Sequence, residues 1–266
     1  MEIKQIIFAA VSIGALGILF GIGLGIAAKK FEIIKDPMIP KVLDLLPGVN
    51  CGGCGYPGCA AFAKAIVEDS VSPTLCSVAN AESQENLAAL LGLSGEVMDK
   101  QVAFVMCKGS NTVAPLKYEY DGIIDCSYAN YMQGTGPKLC EYGCLGMGSC
   151  VKACQFDAIH VVDGIAVVDE EKCTNCGMCI DVCPKDIIES VPLKSTTRVS
   201  CMSQNKGKVQ KESCKVGCIG CKLCAKVCPV DCITIEHSLA KIDYDKCIDC
   251  GACVEKCPTN AINVFN

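Results

Sequence analysis

The chain has 266 residues, 25 of them cysteine, with only 2 histidines and no tryptophan. That length and an odd cysteine count exclude a small disulfide scaffold, and a formal net charge of -5 argues against a general nucleic-acid binder. Cysteines standing two or three residues apart make poor long-range disulfides but grip one metal centre readily, so the thiols read as reduced, as in a cytosol.

Residues 6–28, "IIFAAVSIGALGILFGIGLGIAA", carry no charge, and Lys29 and Lys30 follow directly. The run exceeds the roughly 7–15 apolar residues of a signal peptide and matches the about 20 that a bilayer core needs. It is expected to form a single transmembrane helix in the cell membrane. The flanking lysines would put the C-terminal domains on the cytoplasmic side. Gly17, Gly21 and Gly25 recur every four residues, a face on which a partner membrane helix could pack closely.

Four segments follow from the texture of the chain: a transmembrane anchor over 1–30, a linker and one-cluster domain over 31–100, and two repeats over 101–192 and 193–266. The second segment holds "LPGVNCGGCGYPGC", with Cys51, Cys54, Cys59 and, beyond a short predicted helix, Cys76. Glycines 52, 53, 55 and 58 permit the tight backbone that wrapping a cluster demands.

Shifted by 74 residues, "CEYGCLGMGSCVKACQFDAI" from Cys140 lies on "CKVGCIGCKLCAKVCPVDCI" from Cys214 without a gap. The same shift carries "DEEKCTNCGMCIDVCPKDII" onto "DYDKCIDCGACVEKCPTNAI". In each copy a predicted β-hairpin joins the two cysteine runs, the first turning at Asp163-Gly164. The second copy has the complete two-cluster ferredoxin spacing, in which the fourth cysteine of each run serves the other cluster. One [4Fe–4S] cluster would take Cys218, Cys221, Cys224 and Cys257; the other would take Cys228, Cys247, Cys250 and Cys253. Zinc is set aside, because its cysteine pairs are separated by longer spacers and do not run four together into a proline.

The first copy keeps Cys173, Cys176, Cys179 and Cys183 but has Met147 where a thiolate belongs. A neutral thioether cannot replace it. Cys140, four residues before Cys144, is the nearest spare donor and is expected to join Cys144, Cys150 and Cys183, leaving Cys154 with Cys173, Cys176 and Cys179. Five clusters then leave Cys107, Cys126, Cys201, Cys214 and Cys232. The last replaces a small core alanine of the other copy and reads as a buried free thiol. The other four could hold a sixth cluster shared between the repeats.

The apolar segment, "LPGVNCGGCGYPGC" and the tandem ferredoxin runs together resemble the B subunit of the Rnf complexes, ion-translocating ferredoxin:NAD+ oxidoreductases. The resemblance implies an α+β chain in which a transmembrane helix, a small helical one-cluster domain and two ferredoxin-like dicluster units follow in order. It also implies an electron relay that accepts from reduced ferredoxin and passes to membrane subunits carrying iron–sulfur and flavin centres, coupled in the complex to NAD+ reduction and Na+ or H+ transport. No dinucleotide fingerprint follows a strand, so the NAD site belongs elsewhere. Between Lys194 and Lys226 eight cations face the single acid Glu212. Lys206, Lys208 and Lys211 at its centre are expected to meet an acidic ferredoxin.

Overall fold

The computed structural model describes residues 3–30, 36–93 and 99–265. The apolar segment forms helix α1 (Ile3–Lys30). The expectation of a membrane span is nevertheless corrected: among the described residues no helix is long and apolar enough to cross a membrane. The transmembrane anchor, the cell-membrane location and the cytoplasmic-side topology fall with it.

A small helical unit follows: α2 (Met38–Leu45), α3 (Cys59–Glu68) and α4 (Ala81–Leu91). Val42, Leu46, Phe62, Ile66 and Leu87 make its core. Asn80 caps α4 by accepting from the Ser83 N–H, and Gly92 ends it at φ 67°. Both are the residue types that leave least strain at those positions.

The rest is two α+β units. The first runs β1 (Gln101–Val105), α5 (Cys126–Tyr131), α6 (Ser149–Ala153), β2 (Ile159–Val162), β3 (Ile165–Val168), α7 (Met178–Asp181) and β4 (Ile188–Pro192). The second runs β5 (Thr197–Val199), α8 (Gly207–Ser213), α9 (Leu223–Val227), β6 (Ile233–Glu236), β7 (Leu239–Ile242), α10 (Ala252–Glu255) and β8 (Ile262–Val264). In each unit the first strand pairs antiparallel with the last, and the middle two form a hairpin. Ala103 faces Ser190 across β1 and β4, and Val199 faces Ile262 across β5 and β8. Asp163 and Gly164, at φ 47° and 74°, make the first hairpin turn as a two-residue loop with both residues left-handed.

The strands β2, β3 and β4 recur 74 positions later as β6, β7 and β8. The front of the units breaks that shift. Cys107 follows β1 as Cys201 follows β5, 94 positions on, whereas Cys140 and Cys214 keep the spacing of 74. The first unit therefore carries 20 extra residues between those two cysteines, and α5 lies within that stretch.

The units pack against one another through a buried cation. Arg198 of β5 is fully buried, pairs with Glu170 of the first unit, and sits over the Phe104 and Phe265 rings at 5.3 and 5.6 Å. Those rings meet edge to face at 5.0 Å. The helical unit docks on the first unit at Ser77, whose hydroxyl donates to the Asn175 carbonyl at 3.0 Å. Gly53 lies there too, so near the Cys176 carbonyl that a Cβ would come within 2.3 Å of its oxygen.

Candidate metal-cluster sites

In the helical unit Cys51, Cys54, Cys59 and Cys76 line one cavity. The loop is shaped by Asn50, which accepts from the Cys59 N–H at 2.8 Å, and by Gly58 at φ 147°. Burial pushes the Cys76 thiol up from its ordinary range, and the nearby Cys54 and Cys59 add to it.

A second cavity is lined by Cys126, Cys144, Cys150 and Cys183. Cys126 thus stands where the sequence spacing points to Cys140. Met147 packs beside it, and its neighbours Gly146 and Gly148 hold φ of 71° and 77°. The equivalent loop of the second unit has Gly220 and Lys222 both at 64° around Cys221. The loop has kept its shape while its thiol has given way to a thioether. The fourth thiol lining this cavity is that of Cys126 at the start of α5, in the 20 extra residues. Asp125 caps that helix by accepting from the Ser127 N–H, and Ser149 at the start of α6 donates to the same carboxylate. Burial and the thiols of Cys144, Cys126 and Cys183 push Cys150 to about 12. Metal ligands bind deprotonated, so loading such a site releases protons.

Cys154, Cys173, Cys176 and Cys179 gather on the other side of the first unit, where burial and the other three push Cys179 to about 12. Backbone N–H groups point at the sulfurs: Ala103 to Cys173 and Ala158 to Cys154, both at 3.4 Å. Cys51 of the helical unit approaches Cys176, which brings two of the thiol groups side by side.

In the second unit Cys224 lies with Cys218, Cys221 and Cys257, and burial pushes it to about 11. Cys253, also pushed to about 11 by burial, lies near Cys224, Cys247 and Cys250. The Ala261 N–H donates to Cys257 at 3.2 Å. Cys232 is buried, with its sulfur 3.4 Å from that of Cys228. Cys221 and Cys250 are exposed.

Cys140 lies elsewhere, in a third cavity with Cys107, Cys201 and Cys214. Spacing along the chain puts Cys126 in that group and Cys140 beside Cys144; the structure exchanges the two. Chain proximity favours Cys140, whereas the fold brings α5 back from the insertion. Among the described residues no three Cys, His, Asp or Glu side chains converge as a single ion would need.

Two 4Fe-4S families match the repeats: "4Fe-4S binding domain" over 166–189 and 240–263, and a second of that description over 212–231. The family "Putative Fe-S cluster" matches 46–78. The chain is 48% identical over 235 residues to the B subunit of the Na+-translocating ferredoxin:NAD+ oxidoreductase complex of Acetobacterium woodii, covering 88% of this chain and 70% of that protein. It belongs to the B-subunit family of ion-translocating oxidoreductase (Rnf) complexes. The B subunit of the proton-translocating complex of Clostridium ljungdahlii is 43% identical over 90% of this chain and 85% of its own length. That of the ion-translocating complex of Methanosarcina acetivorans is 44% identical over 88% and 89%. The chain is a subunit of an ion-translocating ferredoxin:NAD+ oxidoreductase and carries several iron–sulfur modules in series. The matched regions leave out Cys107, Cys126, Cys140, Cys144, Cys150, Cys154, Cys201 and Cys232.

The cationic stretch is partly used inside the fold. Lys194 pairs with Asp99, and Arg198 is buried against Glu170. Lys206 precedes α8, which carries Lys208 and Lys211 on its exposed side.

Proposed function

We propose that this chain is the electron relay of its complex, taking electrons from reduced ferredoxin and delivering them to the other subunits. The observation that carries it is the gathering of cysteine thiols as close neighbours in each of the three units, in a chain of this family. A [4Fe–4S] cluster held by four thiolates gains and loses single electrons, at a potential set by burial and by hydrogen bonds to its sulfurs.

The residues read as ligands are Cys51, Cys54, Cys59 and Cys76; Cys154, Cys173, Cys176 and Cys179; Cys126, Cys144, Cys150 and Cys183; Cys218, Cys221, Cys224 and Cys257; and Cys228, Cys247, Cys250 and Cys253. Three features support that reading. The thiols are close neighbours within the sets. Backbone N–H groups are aimed at their sulfurs. Glycines or other left-handed residues precede or follow them in the loops. The chain's own part is to bury the thiols, fix their spacing and keep water from most of them. Exposed Cys221 and Cys250 leave the second unit the more open to a donor, and Lys206, Lys208, Lys211 and Lys222 give that unit a cationic surface for an acidic ferredoxin.

The test is anaerobic. Protein purified with its clusters should lose its broad absorption near about 400 nm when mixed with reduced ferredoxin. Protein rich in iron and sulfide that stays oxidised in that mixture would refute ferredoxin as donor.

A further inference from the structure

We propose that Lys138 sets a reduction potential: its buried ammonium raises that of the cluster assigned to Cys126, Cys144, Cys150 and Cys183, so that electrons entering the second unit run on into the first. The inference rests on the relay reading and deepens it. Lys138 is only 2% exposed. Its Nζ donates to the Gly109 carbonyl at 2.7 Å and to the Gly164 carbonyl at 2.8 Å, the lengths of charge-assisted bonds. Among the described residues no carboxylate lies within ion-pair reach of it. A buried cation without a counter-charge is costly, and the neighbours able to supply one are thiols. The lysine stem runs past Gly143, where a Cβ would lie 3.7 Å from its Cδ, and Cys144 is the next residue. Burial pushes the thiols of Cys144 and of Cys214, at the seam between the units, up from their ordinary range, and in both the Lys138 charge works the other way.

The second unit is built the other way at both equivalent places. Shifted by 74, Lys138 becomes Glu212, exposed on α8, and Gly164 becomes Ser238. The Ser238 carbonyl oxygen lies 3.7 Å from the sulfur of Cys218, the counterpart of Cys144. A carbonyl oxygen carries partial negative charge, so beside a ligand sulfur it opposes an incoming electron. In the first unit the matching carbonyl is held by the ammonium instead. The Cys144 sulfur there accepts from the Ala166 N–H at 3.4 Å, a bond that favours reduction in the same sense.

The consequence is direction. A cluster held by four thiolates is anionic and becomes more so on reduction. A fixed cation stabilises the reduced form more than the oxidised form and raises the potential. Because Lys138 is shut away from solvent, salt screens it little. The second unit, with Cys221 and Cys250 exposed and an acid at the place of Lys138, then gives up its electrons to the first.

Redox titration of anaerobic, full-length protein, followed by electron paramagnetic resonance, is the test. The signal lost in Cys150→Ala marks the cluster concerned, and the signal lost in Cys224→Ala marks its counterpart in the second unit. Lys138→Gln keeps a donor for the carbonyls and drops the charge. At the wild-type midpoint the ratio of reduced to oxidised cluster should then fall about tenfold. Lys138→Arg should hold the wild-type midpoint, a result that a purely structural lysine would not give. An unmoved midpoint in Lys138→Gln overturns the proposal, and so does an equal fall in Lys138→Arg. Should neither variant fold, the wild-type titration decides. The signal marked by Cys150 should come up at higher potential than the one marked by Cys224, and the reverse order overturns the proposal. Clusters that titrate as expected but take no electrons from reduced ferredoxin would overturn the relay reading and leave the part of Lys138 standing.

Discussion

The backbone N–H of Cys126 donates to the Ser149 hydroxyl at 2.8 Å, and that hydroxyl donates on to Asp125 at 2.9 Å. The start of α5 is thereby held against the start of α6, with Cys126 beside Cys150. On the proposed ligand assignment, this clamp lets a cysteine from an insertion stand in for the thiolate that Met147 lacks. Cys126→Ser should therefore cost about four iron atoms per chain. Adding Met147→Cys should restore them, because the glycines at 146 and 148 already hold the loop as it is held around Cys221. Iron analysis and Mössbauer spectra check both steps; a full iron count in the single variant would refute the assignment.

Gly53 tests how the helical unit meets the first ferredoxin-like unit. A methyl group there would lie 2.3 Å from the Cys176 carbonyl oxygen, far inside contact distance. Gly53→Ala should pry the two apart. Hydrogen exchange of amides over 173–178 is expected to quicken by about tenfold, corresponding to ~1.4 kcal/mol of lost docking.

Arg198 tests the contact between the two repeats. Removing a buried partner leaves the other charge poorly solvated, so Arg198→Ala should lower stability by about 3 kcal/mol. The double change Arg198→Met with Glu170→Gln, which removes both charges and keeps much of the packing on Phe104 and Phe265, should cost less. Denaturant unfolding of cluster-loaded protein measures the difference.

Glu189 on β4 gives a pH dependence. Burial raises its carboxyl above the ordinary range, with Lys241 and Tyr244 of the second unit pulling the other way. A carboxyl raised in the folded state binds its proton more tightly there than in the unfolded chain. Its contribution is complete below the ordinary glutamate value of about 4.3 and is lost as pH rises through the raised value. Glu189→Gln should flatten that fall and leave the protein more stable at pH 7. Melting temperatures across pH 4.5–7.5, roughly the window concerned, would show equal slopes in both proteins if another group governs the fall.

Charge reversal at Lys206, Lys208 and Lys211 should slow oxidation of reduced ferredoxin by about tenfold at low salt. The difference should shrink as ionic strength rises past about 0.15 M. Stopped-flow rates that do not respond to the reversal would place the docking surface elsewhere.

The regular cysteine runs, the 74-residue repeat and the Asp163-Gly164 turn are legible because they are local: spacing and turn chemistry suffice to read them. The company kept by Cys126 and Cys140 is not. Counting along the chain favours Cys140 as the stand-in, but β1 and β5 bring Cys107 and Cys201 to the seam, and Cys140 falls beside them. The clue present in the chain is the unequal spacing, 94 for one cysteine pair and 74 for the other. It marks an insertion, and an insertion is where a displaced ligand can enter. The apolar stretch is legible as a helix, and α1 forms, but hydropathy alone overstates it as a span.

The division of Cys107 and Cys140 on one side, Cys201 and Cys214 on the other, bears on modular engineering. Either half, excised and expressed alone, would present two of the four cavity cysteines and the stripped faces of Phe104 or Arg198 to solvent. The two copies share that packing, so deleting one would require redesign of the surviving end.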